Sequence, residues 1–412
     1  MTPVQSSRRD GQAKRLCLLG ATGSIGDSVC DIVEDNRRSF SIETVAAHSN
    51  VDKLAYRAKS LGARRAIIAD HASFSSLKTA LSGTGIDVQA GPEAIIAAAR
   101  EPADIVVSAM VGAAGMRPSM AAVEAGNTLA LANKEALVCA GHLMMDAAER
   151  NEVTILPLDS EHNALFQVFE ARNFGAIDKV TLTASGGPFR AWSKAQIEGA
   201  TLNDALNHPN WTMGQKVTID SASLANKGLE VIEAHHLFAL PHGQIDVVVH
   251  PQSIVHGMVH YSDGSVLAQL GMPDMRTPIA AALSWPGRCE APRVERLDLA
   301  AIAKLTFEPP DLERFPMLRM AFEAIEQGGM LPAVYNAANE VCVEAFIAGR
   351  LAFHQIATIV AMTFDEAHKG SSTLTARARA IEDVEAADRL GRGFANAMIG
   401  KLLSGTRTMS YT

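Results

Sequence analysis

From residue 14 the chain alternates short apolar runs with stretches of helical patterning. The runs are Arg15–Gly20, Glu43–Ala47, Arg65–Ala69, Asp104–Ala109, Thr128–Ala132 and Val153–Leu158. Continuously apolar strands separated by helices predict a parallel sheet covered on both faces. That pattern accounts for residues 14–158. After Asp159 the texture changes. Strand-like pieces at Lys179–Thr183, Ile245–His250, Val255–His260 and Val266–Leu270 are interrupted by loops rich in Gly, Pro and Asn, which predicts an α+β unit with an open sheet. Prolines 286, 292, 309 and 310 mark Trp285–Pro310 as a connector. From Pro316 the pattern is helical. Ile356, Ile359, Val360, Thr363, Phe364 and Ala367 fall on one helix face, and Leu318, Ala321, Phe322 and Ile325 repeat the spacing. The expected divisions are a leader over 1–13, domains over 14–158 and 159–290, a connector over 291–315 and a helical domain over 316–405.

Composition narrows the class. Lysine and arginine number 37 against 45 acidic residues, a net charge of −8. A chain this acidic is a poor general binder of nucleic-acid phosphate. The five cysteines, at 17, 30, 139, 289 and 342, are odd in number and include no C-x-x-C pair. This argues against a disulfide framework or cysteine-rich zinc module and fits a reducing cytoplasm. No uncharged apolar run approaches the ~18 residues of a membrane span. The polar N-terminus lacks a secretory core segment and reads as a frayed leader.

Gly20-Ala-Thr22-Gly23-Ser24-Ile25-Gly26 follows the first apolar run and precedes a helical pattern at Asp27–Glu34. Glycines at such a strand–helix turn let the backbone approach a pyrophosphate seated on a helix N-terminus. As the first βα turn of an alternating domain, it points to a Rossmann-like dinucleotide site formed by Gly20, Thr22, Gly23, Ser24, Ile25 and Gly26. The second strand ends in His48, Ser49 and Asn50, with no acid before Asp52. These donors suit a 2′-phosphate, so NADPH is expected over NADH. A solvated turn is the alternative.

Asp159-Ser160-Glu161-His162-Asn163 follows the last apolar run, at the strand end where open α/β sheets place ligands. Asp159 and Glu161, with a distant third carboxylate, would suit Mg²⁺ or Mn²⁺. Acids favouring a helix dipole explain the same pattern equally well. Ser185-Gly-Gly is either an anion-binding turn or a plain one. Ser221, Asn226 and Lys227 offer hydroxyl, amide and ammonium within seven residues, a set suited to a phosphate monoester, and a helix would place Glu230 on the face of Lys227. The alternative is a surface Lys–Glu pair. His208, Pro209, Trp211 and Gly214 read as a mobile loop over 205–215 carrying an aromatic. The histidines from 235 to 260 form no H-E-x-x-H pair; His256 is retained as a candidate.

The ordered segments GATGSIG (20–26), LANKEALV (131–138), LDSEHNALFQ (158–167), SGGPFR (185–190), HPNWTMG (208–214), DSASLANKGLE (220–230), HPQSIVHGMV (250–259), LGMPDMRTPIA (270–280) and NAANEV (336–341) resemble the 1-deoxy-D-xylulose 5-phosphate reductoisomerase family. The likeness runs from Leu18 to about Ile399, and the DSEHNA and NKGLE motifs are its most specific parts. It implies a Rossmann-like N-terminal domain, an α+β catalytic domain and a C-terminal helical bundle. It implies NADPH at the glycine loop, at Asn133 and Glu135 and at Met213 and Gly214. Asp159, Glu161 and Glu230 match its metal ligands, for Mg²⁺ or Mn²⁺ with Co²⁺ as a further candidate. Lys134, Ser160, Glu161, Ser185, His208, Trp211, Ser221, Asn226, Lys227, Glu230 and His256 make the expected substrate set, with Lys134, Glu161 and His208 in proton handling.

The chain departs from the family's common Gly-Lys or Gly-Ser at His48-Ser49, although Asn50 matches. The resemblance further implies a homodimer and a rearrangement followed by hydride reduction, giving 2-C-methyl-D-erythritol 4-phosphate for non-mevalonate isoprenoid biosynthesis. Competing readings are a semialdehyde-dehydrogenase-like NADP oxidoreductase and a non-catalytic NADPH sensor. The first needs a nucleophilic cysteine. Cys139 lies in a helical pattern with no helix start in view.

Overall fold

The computed structural model describes residues 12–211, 213–370 and 374–409, and the chain clusters into two compact units. The first comprises Met1–Ala136, Met144–Ile177 and His256–Ala301. The second comprises Leu137–Leu143, Asp178–Val255 and Ile302–Thr412.

The first unit is built on β1 (Lys14–Leu19), β2 (Phe40–Ala47), β3 (Arg65–Ile68), β4 (Asp87–Ala90), β5 (Ile105–Ser108), β6 (Leu129–Leu131) and β7 (Ile155–Pro157). Their order is β4-β3-β2-β1-β5-β6-β7, and every pairing is parallel. Leu16, Leu18, Val45, Ile68 and Val107 supply the fully buried apolar face that the strand runs require. The switch of direction lies between β1 and β5, the place where this architecture opens a ligand crevice.

Strand β4 was not among the predicted apolar runs. It is an edge strand with no buried residue, so its sequence, DVQA, needs no continuous apolar run. Cys139 also differs from expectation. The helix Lys134–Arg150 starts five residues before it, capped by the Asn133 side chain, and kinks at Ala140.

Strands β8 (Ile177–Ala184), β9 (Ile245–Val249), β10 (Val255–Tyr261) and β11 (Val266–Leu270) make a second sheet of four strands. In the second unit β8 and β9 run parallel, from Val180 opposite Ile245 to Ala184 opposite Val249. The helices Gln215–Ser223 and Ala225–Leu237 follow, joined by Leu224 in the left-handed region at φ 59°. Four longer helices, Pro316–Gln327, Leu331–Ile347, Gln355–Gly370 and Ile381–Met409, form the expected C-terminal bundle. The Leu331 helix is its centre and packs against the other three. The connector expected over Trp285–Pro310 contains one short helix, Leu299–Ile302. The loop expected over 205–215 is shorter, because the helix Leu202–Leu206 ends under a cap at Asn207.

Candidate functional site

In the first unit the glycine turn has two close approaches. A Cβ on Gly20, at φ +100°, would stand 2.3 Å from the Ala109 carbonyl oxygen, and one on Gly26 would stand 2.3 Å from that of Gly20. These two glycines fold the turn tightly onto β5 and onto itself. Gly23 is exposed and caps the helix Ser24–Asp35 with no side-chain hydrogen bond. The turn therefore presents the N-terminal N–H groups of a helix, the arrangement that favours an anion. Thr22 and Ile25 are half-buried and Ser24 is exposed.

At the end of β2, His48, Ser49 and Asn50 are exposed. The Asn50 side-chain oxygen accepts the Lys53 N–H at 3.1 Å and so caps the next helix. Only its amide nitrogen is then suited to an anionic partner.

Asn133 and Glu135 are buried. Asn133 Nδ2 donates to the carbonyls of Met110 (2.8 Å) and Gly112 (2.9 Å) and to Glu135 (3.0 Å). Its oxygen accepts the Ala136 N–H at 3.0 Å. The pair thus shapes the 110–112 loop and caps a helix, work not visible in the sequence pattern.

Asp159 caps the helix Ser160–Val168, accepting the Glu161 N–H at 3.3 Å. Its other oxygen lies 3.1 Å from Lys134 Nζ. Asp159 and Glu161 bring carboxylate oxygens within 4.8 Å of each other. Ser160 donates to Glu161 at 2.5 Å. The dipole reading and the cation reading meet here: one carboxylate caps the helix, and both are close enough to need a positive neighbour. His256, on β10, is buried with Nε2 3.2 Å from the Gly271 carbonyl oxygen.

The second unit gathers the other candidates. His208 Nε2 lies 3.0 Å from Ser185 Oγ and 3.2 Å from Ser221 Oγ. Its Nδ1 accepts the backbone N–H of Asn210 (3.2 Å) and of Trp211 (3.0 Å). Two donors into Nδ1 assign the proton to Nε2. Burial pushes the imidazole below its ordinary pKa, favouring this neutral tautomer.

The Ser185-Gly-Gly turn is pressed onto the Gln215 helix. Gly187, at φ +66°, would place a Cβ 2.7 Å from the Ser221 carbonyl oxygen. Only glycine allows Ser185 to reach the His208–Ser221 pair from β8. Beyond the Leu224 junction, Asn226, Lys227 and Glu230 share one helix. Lys227 and Glu230 are buried at 3% and 1% exposure, and both Lys227 and Asn226 donate to Glu230. The surface-pair alternative is thereby excluded. Met213 is half-buried and Gly214 caps the Gln215 helix.

Hydroxyls, an imidazole N–H, an amide and an ammonium around one helix junction are donors of the kind an anionic phosphate accepts from. Cys139 is buried at 8% exposure in its helix, without the accessibility that a nucleophile needs.

Three family models match the chain. One described as 1-deoxy-D-xylulose 5-phosphate reductoisomerase matches residues 16–141, its C-terminal domain matches 155–238, and a DXP reductoisomerase C-terminal domain matches 270–394. A 1-deoxy-D-xylulose 5-phosphate reductoisomerase of Bradyrhizobium diazoefficiens is 50% identical over 401 residues, 97% of this chain and 98% of that protein. One of Rhodopseudomonas palustris is 53% identical over 389 residues, covering 94% and 95%. A solved Zymomonas mobilis reductoisomerase in complex with NADPH is 46% identical, covers 94% of this chain and 99% of its own, and superposes with a TM-score of 0.88. A DOX-P reductoisomerase in complex with NADPH, fosmidomycin and magnesium is 42% identical, covers 95% and 99%, and gives 0.90.

Proposed function

We infer function from one premise: the chain belongs to the 1-deoxy-D-xylulose 5-phosphate reductoisomerase family. It is an NADPH-dependent and divalent-metal-dependent oxidoreductase. It rearranges and reduces 1-deoxy-D-xylulose 5-phosphate to 2-C-methyl-D-erythritol 4-phosphate in non-mevalonate isoprenoid biosynthesis. The observation that carries this reading is the donor set of Ser185, His208, Ser221, Asn226 and Lys227, Lys227 buried and the others half-buried, drawn from two helices, a glycine turn and the loop before them.

In this reading Ser185, His208, Ser221, Asn226 and Lys227 bind the substrate phosphate, each as a donor. His208 serves as the neutral tautomer, donating through Nε2 while Nδ1 holds the Asn210–Trp211 turn. Trp211 covers the substrate, and Ser160 and His256 complete its contacts. Asp159, Glu161 and Glu230 hold the divalent ion, Mg²⁺ or Mn²⁺ with Co²⁺ as a further candidate. The donor set fits a hard cation, since all three groups are carboxylates. Buried Glu230 is held by an ammonium and an amide, which offset the cost of burying a carboxylate. When bound, the ion polarises a carbonyl and eases ionisation of an adjacent hydroxyl, and NADPH supplies hydride. In this reading Lys134, whose Nζ pairs with Asp159, and Glu161, bonded to Ser160, hold and pass protons.

The pyrophosphate of NADPH rests on the turn from Gly20 to Gly26. Asn133, Glu135, Met213 and Gly214 line the cofactor, and His48, Ser49 and the Asn50 amide take the 2′-phosphate. The enzyme works as a homodimer in the cytoplasm. Among the described residues no helix is long and apolar enough to cross a membrane.

The test is NADPH oxidation with 1-deoxy-D-xylulose 5-phosphate, with and without EDTA. Substrate-dependent oxidation that stops on chelation and returns with Mg²⁺ is expected. Oxidation indifferent to chelation, or absent with this substrate, overturns the reading.

A further inference from the structure

The Leu331 helix is mostly apolar and mostly buried, yet it carries two asparagines, Asn336 and Asn339, at 0% exposure. The Oδ1 atom of each has no hydrogen-bond partner. A buried unpaired carbonyl costs free energy, so an amide at these positions needs a compensating role. For Asn339 the role is visible. Its Nδ2 donates to Asp220 Oδ1 at 2.8 Å, and Asp220 is itself buried at 1% exposure. The second oxygen of Asp220 lies 3.2 Å from Lys216 Nζ, one turn earlier on the Gln215 helix.

Asp220 immediately precedes Ser221, whose hydroxyl faces His208. Further contacts hold the end of this helix and the start of the next. Gly187 packs on the Ser221 carbonyl, which also accepts the Leu224 N–H at 3.2 Å. The Asp220 carbonyl accepts Ser223 Oγ at 3.2 Å. One turn before Asn339, Tyr335 is fully buried, and its hydroxyl oxygen would be 2.8 Å from a Cβ on Gly228, the neighbour of Lys227. Burial first, and the Asp220 carboxylate second, push the Tyr335 phenol up. The i, i+4 pair Tyr335 and Asn339 therefore meets both helices of the phosphate cradle from one face of the Leu331 helix.

We propose that Asp220 and Asn339 are positioning residues for phosphate binding: their buried amide–carboxylate bond fixes the end of the Gln215 helix, and so sets Ser221 against His208. The proposal rests on the function inferred above. A second buried amide, Asn336, donates to Glu340 at 3.3 Å, and Glu340 pairs with Arg392 of the Ile381 helix.

The test compares Asn339→Ala and the milder Asn339→Ser with the exchange Asp220→Asn/Asn339→Asp, which restores an amide–carboxylate bond in the opposite sense. The probes are the substrate, fosmidomycin and NADPH. Loss of the bond should raise the substrate KM and the fosmidomycin inhibition constant about tenfold, while the NADPH Kd and kcat change by less than about threefold. The exchange should recover most of the loss. On a Ser221→Ala background the same change should have little effect, because the hydroxyl it positions is gone. Lowered unfolding temperature with unchanged KM and inhibition constant, or full additivity with Ser221→Ala, overturns the proposal. A wild type with no substrate-dependent NADPH oxidation overturns the functional reading instead.

Discussion

His208 joins the two sides of its site through its two ring nitrogens. Nδ1 accepts two successive backbone N–H groups, as an aspartate or asparagine oxygen does in an Asx turn. Nε2 carries the proton and faces two serines. His208→Asn should keep the turn, because a side-chain oxygen replaces Nδ1, but lose reach to Ser185 and Ser221. The expected result is an unchanged unfolding temperature with a raised substrate KM; steady-state kinetics showing a normal KM would contradict the assignment. A second histidine has a different consequence. His236 is pushed down to about 3, by burial first and then by His235, His142 and Arg377, and its ring fills the space where a Gly141 Cβ would stand. Its folded pKa is depressed below the unfolded 6.5, so the unfolded chain binds the extra proton between those values. The stability from neutral His236 is complete above about 6.5 and is lost as pH falls towards about 3, at about 1.4 kcal/mol per pH unit. Replacing it with methionine should flatten the acid limb of unfolding free energy against pH by that slope. Denaturant titrations at several pH values read this directly.

At the scale of elements, packing against glycine decides where the cradle helices lie. Gly228 has Tyr335 Oη and Ala321 Cβ each 2.8 Å from its would-be Cβ. Gly228→Ala gains up to about 1 kcal/mol of helix propensity, but overpacking a rigid buried contact costs about 1–3 kcal/mol. The clash should win, lowering the unfolding temperature and weakening phosphate binding by displacing Lys227. Adding Tyr335→Phe removes one of the two obstructing atoms and should recover part of the loss, which thermal melts of the single and double variants decide. Elements of this kind mark the limit of what was legible in the chain. The alternating apolar runs revealed six of the seven parallel strands, the five central ones and the edge strand β7, because strands that are buried, β7 included, are continuously apolar. The edge strand β4 escaped because exposure removes that requirement. The Lys227–Glu230 spacing predicted a shared helix face, and the helix Ala225–Leu237 confirms it. Gly187, Gly228, Asp220 and Asn339 were invisible as site supports, since their meaning lies in contacts between distant segments. The isolated asparagines in an apolar helix were the one available signal.

Over the whole molecule, the turn proposed for the cofactor and the donors proposed for the phosphate belong to different compact units, so their perturbations should separate. Glu230 gives the sharpest case. It is proposed as a metal ligand, yet it is also the buried partner of Lys227 and Asn226. Glu230→Gln therefore has two effects that must be told apart. It removes an anionic ligand, which should abolish most turnover at low Mg²⁺. It also leaves the Lys227 ammonium buried at 3% exposure without its carboxylate, and breaking such a pair costs about 3–5 kcal/mol. Stability alone would explain lost activity if the variant unfolded. The double variant Lys227→Gln/Glu230→Gln removes both charges and should regain much of the stability, because neither charge is then stranded. It should not regain turnover, since the carboxylate is still missing and a phosphate donor is gone as well. NADPH binding, measured by titration, should remain near wild type in both variants because the glycine turn is untouched. Near-normal turnover of the single variant at low Mg²⁺ would remove Glu230 from the metal set and leave it as a structural partner of Lys227 and Asn226.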